Sequence, residues 1–279
     1  MIYELIGTEI NEAYAKEGTS LNQAYDIEGN EVFTTIEDGL TIMTYNVQAF
    51  TALNSNKNMQ TSILNTYDAD FIGFQEVSTS TTLPSIATEL LTSYPYINQL
   101  RGNAMASKRS LTNITNGIFE NQAFATESKL RRYQKAYFTY NNKTICWVNT
   151  HLETSDYESV KVAQAQEIFN LVQNEPYFII TGDFNTVCKS VNDTEYTTIM
   201  KQFVDAGYNV ANCSNQHGFI DTWTSGSTAS GTWYPCDHII TSSNIDIDTV
   251  IADTTKIDVA SETGQSIDHL PLIAYLTIN

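Results

Sequence analysis

A carboxylate and a carboxamide two residues apart, Asp183 and Asn185 in Gly182-Asp183-Phe184-Asn185, directly follow the apolar run Tyr177-Phe178-Ile179-Ile180-Thr181. Such a run reads as a buried strand, and residues two apart at its end face the same way. One group can orient or deprotonate a water while the other donates a hydrogen bond to an anion. Asp and Asn are also ordinary turn residues, so the pair gains weight from its company. Asn46 follows Thr41–Tyr45, Glu76 follows Asp70–Gln75, and His151 follows Thr144–Thr150. Asp237 precedes Ile239-Ile240, and Asp268-His269 precedes Leu270-Pro271. Strand ends are where sheets present ligand-binding groups. Hydrolysis of a phosphate ester needs this kind of set. Hard oxygen donors hold Mg²⁺, a carboxylate positions the attacking water, and imidazoles stabilise charge on the non-bridging oxygens.

The elements that must position these groups alternate from Leu40 onward. Strands are expected at Thr41–Tyr45, Asp70–Gln75, Lys135–Tyr140, Thr144–Asn149, Tyr177–Thr181, Ile239–Thr241, Ile245–Val250 and Leu272–Ile278. Asn141-Asn142-Lys143 between two of them is a hairpin signal. Helical spacing marks Lys57–Tyr67, Leu83–Leu91 and Val160–Val172; in the last, Val160, Ala163, Ile168, Leu171 and Val172 can share a face. Thr224–Thr232, rich in Gly, Ser and Thr, reads as a loop. Hairpins mixed with strand–helix units predict an α/β fold of two packed mixed β-sheets with helices outside. Residues 1–38 differ in composition and form a leader or small appended module before a catalytic domain at 39–279. A Gly29-Asn30 turn predicts a small hairpin across Asp26–Phe33. An extra strand pair on the main domain is the competing reading.

With 279 residues, 42% of them hydrophobic and 11% aromatic, the chain can bury a substantial core and is not of a disordered class. No stretch is long and apolar enough to span a bilayer, and the start Met1-Ile2-Tyr3-Glu4-Leu5 lacks the basic and apolar regions of a signal peptide. Cys146, Cys188, Cys213 and Cys236 lack paired metal-ligand spacing, and most sit in or beside apolar runs, as buried free thiols do. These features place the chain in the cytoplasm by default, with a phage- or surface-associated location as the alternative. The net charge of −18 argues against a broad nucleic-acid-gripping surface. Eight of the fourteen Lys and Arg nevertheless lie between Arg101 and Lys143, against two acids, so that window carries +6 and the rest −24. The window is either a solvated face or a docking surface for a phosphate-bearing substrate.

The ordered motifs Thr44-Tyr45-Asn46-Val47, Gln75-Glu76-Val77, Gly102-Asn103-Ala104-Met105-Ala106-Ser107, Asn149-Thr150-His151-Leu152, Gly182-Asp183-Phe184-Asn185-Thr186, Cys236-Asp237-His238-Ile239 and Asp268-His269-Leu270-Pro271 span Leu40 to Asn279. This set resembles the endonuclease/exonuclease/phosphatase superfamily, the group of deoxyribonuclease I, apurinic endonucleases, neutral sphingomyelinases and inositol-polyphosphate phosphatases. The resemblance implies a four-layer sandwich. It implies Glu76 as principal ligand of Mg²⁺ (Mn²⁺ as alternative), with Asn46 and Asp268 beside it. Asp183 would activate water, Asn185 and His269 would contact the phosphate, and Asp237 would fix the His269 tautomer. His151 corresponds to the deoxyribonuclease-type histidine. Asn103, Lys108 and Arg109 would contact substrate. Residues 1–38 resemble leader segments of phage-tail-associated and clostridial surface proteins.

The reading that follows is a Mg²⁺-dependent phosphodiesterase acting on nucleic acid. A sphingomyelinase-type phospholipase C and an inositol-phosphate phosphatase are the enzymatic alternatives, and a non-catalytic phage-tail-like binding module is the alternative of another class. Each residue also has a plainer role: Asn46 as a turn cap, Glu76 as a surface acid, His151 as a satisfied core histidine, Asp237 as a strand-edge acid. His217 and His238 are expected to be structural, with His238 facing away from Asp237.

Overall fold

Period-two alternation with both faces apolar explains most strands of this protein. In strand Leu40–Asn46, Leu40 and Ile42 join one buried cluster while Met43 and Tyr45 join another. Strand Phe178–Asp183 does the same with Ile179 on one side and Phe178 and Ile180 on the other. Strands buried on both faces read as continuous apolar runs. The computed structural model describes residues 10–15, 21–26, 31–34, 39–47, 63–77, 92–224, 232–254 and 268–279.

The chain divides into two units, Met1–Gly39 and Leu40–Asn279. In the first, β1 (Ile10–Ala15), β2 (Leu21–Asp26) and β3 (Glu31–Thr34) form an antiparallel sheet in that order. β2 and β3 pair antiparallel, while the expected Gly29-Asn30 turn lies outside the described residues.

The second unit holds two six-stranded mixed sheets. One comprises β4 (Leu40–Asn46), β5 (Phe71–Gln75), β6 (Tyr96–Leu100), β7 (Asn103–Ser107), and the late strands at Ile245–Ala252 and Leu272–Ile278. The other comprises β8 (Thr112–Ile118), β9 (Arg132–Tyr140), β10 (Lys143–His151), β11 (Phe178–Asp183), β12 (Asn209–Val210) and a strand at Asp237–Thr241. A two-stranded ribbon, β13 (Trp223–Thr224) with β14 (Trp233–Tyr234), lies between β12 and that strand in sequence. The remaining strands are then β15 (Asp237–Thr241), β16 (Ile245–Ala252) and β17 (Leu272–Ile278). The sheet orders are β16-β17-β4-β5-β7-β6 and β12-β15-β11-β10-β9-β8. β4 pairs β5 in parallel and β10 pairs β11 in parallel, while the other pairs are antiparallel. The β9–β10 hairpin turns at Asn141 and Asn142, both left-handed (φ 47° and 62°), as its tight turn requires.

The sheets pack face to face through Leu40, Ile42, Phe71, Phe138, Trp147, Ile179 and Leu272. Towards the carboxyl ends of β5 and β10 this apolar layer gives way to amides. Gln75 Nε2 donates to Asn149 Oδ1 (2.8 Å), and Asn149 Nδ2 donates to the Phe74 carbonyl (3.0 Å) across the layer. Gly73 makes the approach close enough, for a Cβ there would overlap Thr181 Oγ1 and Asn149 Oδ1. Outside one sheet lie α1 (Glu158–Val172) and α2 (Lys201–Asp205), over Phe178, Ile180 and Phe184. Outside the other lies the helical segment 63–67, with Ile63 and Leu64 buried against Ile72 and Phe74. The fold is thus a four-layer α/β sandwich of the deoxyribonuclease I type. Among the described residues no helix is long and apolar enough to cross a membrane.

Three local expectations meet corrections or limits. The buried face of α1 consists of Lys161, Gln164, Ala165, Ile168 and Val172 rather than Val160, Ala163 and Leu171. Edge strands β6 and β8 carry no apolar run to mark them. The expected helix at Leu83–Leu91, the start of the one at Lys57–Tyr67, and most of the loop at Thr224–Thr232 lie outside the described residues.

Candidate active site

Parallel strands end, and their antiparallel neighbours begin, at one edge of each sheet. Asn46 closes β4, Glu76 follows β5, and Asp268-His269 precede β17 in one sheet. His151 closes β10, Asp183 closes β11, and Asp237 opens β15 in the other, in direct register with Asp183. By strand alternation Asn46, His151, Asp183 and Asp237 continue the inner faces that carry Ile42, Trp147, Ile179 and Ile239. The two sheets therefore deliver these groups to one place.

Asp183 is the hub. Its Oδ2 accepts from Asn46 Nδ2 (2.9 Å), and its Oδ1 accepts from the Asn185 backbone amide (2.8 Å). His151 Nε2 lies 3.4 Å and His269 Nε2 3.5 Å from Oδ2. Asn185 has left β11 with a left-handed backbone (φ 51°), which Asn tolerates. Its Nδ2 donates to the Leu152 carbonyl (3.0 Å) and reaches His151 Nε2 (3.0 Å). That pairing assigns the lone pair to Nε2 of a neutral His151. On the far side, His269 Nδ1 donates to Asp237 Oδ2 (2.9 Å). Thr222 Oγ1 accepts from the Asp237 amide (3.0 Å) and fixes the start of β15. Asp237 and His269 are buried.

Charge in this knot is set by burial and neighbours. Burial pulls His269 down, but Asp237 and then Asp183 outweigh it and raise its pKa to about 9. Burial, helped by Asp237, raises Asp183 to about 6 against the pull of His269, Asn46 and the Asn185 amide. Burial, with Arg131 and His269 nearby, holds His151 well below the usual imidazole value. The centre at neutral pH therefore pairs an imidazolium at His269 with a neutral imidazole at His151, on either side of the Asp183 carboxylate. Glu76 stands at the solvent-open rim with a left-handed backbone (φ 54°). Burial of its carboxyl, with Asp183 and Asp268 close by, raises its pKa against a hydrogen bond from Asn46.

A family model described as Endonuclease/Exonuclease/phosphatase family matches residues 43–257. The chain belongs to this family. Members of the family are hydrolases acting on phosphoesters, and the knot around Asp183 occupies the edge of the sandwich where both parallel strand pairs end. None of the curated proteins compared matches the sequence. Among solved structures, D. rerio TDP2 complexed with a single strand DNA product is similar at 16% identity and TM-score 0.66, covering 86% of this chain and 100% of that one. An endonuclease/exonuclease/phosphatase from Bacteroides vulgatus is similar at 16% identity and TM-score 0.64, covering 86% and 99%. The human Nocturnin catalytic domain with bound sulfate follows at 19% identity and TM-score 0.61, covering 87% and 95%.

Within this family fold, not every implied contact reaches the centre. Asn103, at the start of β7, is buried beside it and donates to the Arg132 carbonyl (3.0 Å). Lys108 and Arg109 follow the other end of β7, about 13 Å along the strand. There Lys108 Nζ lies 2.6 Å from Asp68, and Arg109 pairs with Asp70 (3.9 Å) and covers the Tyr140 ring. At that end of β7 both side chains are engaged in these ion pairs. The basic window is likewise split. Lys135 pairs with Glu175 beside α1, and Lys143 reaches the terminal carbonyl of Asn279. Arg101, Lys129, Arg131 and Arg132 remain near the centre, on the wall of a cleft of about 540 Å³ that also includes Glu76 and His151.

Two further residues support the centre, Lys161 without a sequence signal of its own and His238 as alternation along β15 predicts. Lys161, buried on α1, donates to the Asn185 carbonyl (2.7 Å) and pairs with Glu195 (2.8 Å). His238 faces away from Asp237, as alternation requires, and meets Thr186 Oγ1 (2.7 Å) under the Asp183–Thr186 turn. The four cysteines are free and buried, with Cys188 and Cys213 in contact (Sγ–Sγ 3.0 Å).

Proposed function

We propose that the protein hydrolyses phosphodiester bonds of nucleic acid with the help of a bound divalent cation, Mg²⁺ or in its place Mn²⁺. The observation that carries this reading is the bracketing of one buried carboxylate, Asp183, by two imidazoles, with His151 Nε2 at 3.4 Å and His269 Nε2 at 3.5 Å from Oδ2. Asp183 orients a water and takes its proton. His269, protonated and held by Asp237 through Nδ1, donates from Nε2 to a non-bridging phosphate oxygen, and the Asn185 Nδ2–H that rests on His151 Nε2 turns from it to the same phosphate on the β10–β11 side.

Asn46, Glu76 and Asp268 would hold the cation. Their amide and carboxylate oxygens are the donors Mg²⁺ prefers, and the like-charge crowding that raises Glu76 is what a divalent cation relieves. The tighter group Asp183, Asp237 and His269, with ligand atoms within 4.8 Å of one another, suits it less, because a protonated His269 repels a cation. When bound, the ion supplies neutralisation of the anionic substrate and stabilisation of the departing oxyanion.

A substrate panel tests the reading: supercoiled plasmid, single-stranded RNA, an abasic duplex, sphingomyelin and inositol phosphates, each with Mg²⁺ and with EDTA. Metal-dependent cleavage of a polynucleotide is expected, and Asp183→Asn should cut it by about 10²–10⁴ with the fold intact by circular dichroism. Turnover confined to sphingomyelin or inositol phosphates would move the protein to the phospholipase C or phosphatase class. Absence of metal-dependent turnover on every ester would leave a binding module.

A further inference from the structure

The cleft beside Glu76 and His151 carries more positive charge and more aromatic surface than hydrolysis of one phosphate requires. Its charges divide into two kinds. Arg132 is buried and pairs with Glu127 (2.5 Å), and Arg131 pairs with Glu153 (3.3 Å), so both are compensated. Arg101 and Lys129 make no ion pair with any described residue. Two uncompensated cations on one wall are notable in a chain of net charge −18. On the acid side, Glu76 belongs to the centre and Asp156 is an exposed acid at the rim. Phe124 and Tyr157 meet edge to face (5.1 Å, 72°), and Lys129 Nζ covers the Phe124 ring (4.5 Å). Tyr157 keeps 38% of its surface exposed. Aromatic faces next to free cations are what stack a base and hold its phosphate.

We propose that the wall formed by Arg101, Phe124, Lys129 and Tyr157 is a nucleotide subsite. It takes the nucleotide next to the scissile bond of a single-stranded polynucleotide, with the base against Tyr157 and the next phosphate between Arg101 and Lys129. The proposal rests on the phosphodiesterase reading above for the position of the scissile phosphate. A paired duplex keeps its bases stacked on one another, so this wall selects unpaired strands. The volume of about 540 Å³ lies within the range of small-ligand sites and admits one nucleotide rather than a helix.

Binding tests the subsite without requiring turnover. Isothermal titration in EDTA compares thymidine 3′,5′-bisphosphate with thymidine 5′-monophosphate, deoxyribose 3′,5′-bisphosphate and inositol 1,4-bisphosphate. The nucleoside bisphosphate should bind about tenfold or more tighter than each of the other three, since each lacks either the base or the second phosphate. Arg101→Gln with Lys129→Gln should erase the advantage over the monophosphate. Tyr157→Ala should erase the advantage over the baseless bisphosphate. A charge-matched pair away from the cleft, Lys143→Gln with Lys201→Gln, should change neither. Equal binding of all four ligands, or an advantage that survives the cleft variants, overturns the subsite. Preferred binding of inositol bisphosphate, indifferent to Tyr157→Ala, overturns the nucleotide assignment. If the substrate panel shows no hydrolysis while the bisphosphate preference holds, the hydrolytic reading fails and the subsite stands. Cleavage without the preference is the reverse result.

Discussion

Asp183 and His269 set the working pH at the scale of single residues. Asp183 must be a carboxylate to take a proton, so activity should fall as pH drops through about 6, its raised pKa in the metal-free centre. A neighbouring divalent cation favours the charged form and can only move this limb lower. His269 must be an imidazolium to donate, so activity should fall as pH rises through about 9. Asp237 is the strongest partner holding His269 up. Asp237→Asn should therefore shift the alkaline limb of kcat/KM towards lower pH, and a limb still near 9 in the variant would refute the pairing. The same linkage acts on stability. A histidine whose folded pKa exceeds its unfolded value of about 6.5 stabilises most below that pH, and the contribution is lost as pH rises through the folded value.

Elements decide how accurately these residues meet. Lys161 on α1 ties the Asn185 carbonyl to Glu195 inside the protein. Lys161→Met should cost roughly 3–5 kcal/mol in chemical denaturation, because it strands a nearly buried carboxylate. Lys161→Met with Glu195→Gln should recover part of the loss; a double variant no better than the single one would deny the pairing. Gly73 on β5 lies where the other sheet leaves no room for a Cβ. Gly73→Ala should destabilise by about 1–3 kcal/mol as Thr181 and Asn149 are pushed away, and unchanged stability would show that the sheets can part there freely. The strands that carry the centre were the legible ones. β4, β5, β10, β11 and β15 are buried on both faces, so each contains a short apolar run with a polar residue standing out at one end. Asn46, Glu76, His151, Asp183 and Asp237 are visible for that reason. Lys161 is not, since a lysine on a helix reads as a solvent-facing residue. Arg101, Phe124, Lys129 and Tyr157 lie in turns and loops without periodicity and become neighbours only in the folded chain. Lys108 and Arg109 lie away from the centre for the converse reason: they are close to Asn103 in sequence, but an extended strand carries them to its other end.

At the scale of the whole molecule, a cleft carrying Arg101, Lys129, Arg131 and Arg132 belongs to a chain of net charge −18. A long polynucleotide extends beyond the cleft and meets the acidic surroundings, whereas a dinucleotide meets mainly the cleft. Raising ionic strength from about 0.01 M to about 0.15 M shortens the reach of charge from about 30 Å to about 8 Å. The KM for a long single strand should consequently fall over that interval while the KM for a dinucleotide rises. A steep rise for the long strand, as counterion release from many phosphates gives, would contradict this picture. The division of the centre between two sheets has a last consequence, for how the protein comes to life. Asn46, Glu76 and His269 arrive on one half of the sandwich, and His151, Asp183 and Asp237 on the other, so neither half alone holds a working set. Each sheet could form its ladder of backbone bonds and still be inert. The amide contacts of Gln75 and Asn149 join the two sheets beneath the centre, so regain of activity on refolding is expected no earlier than the docking of one sheet on the other.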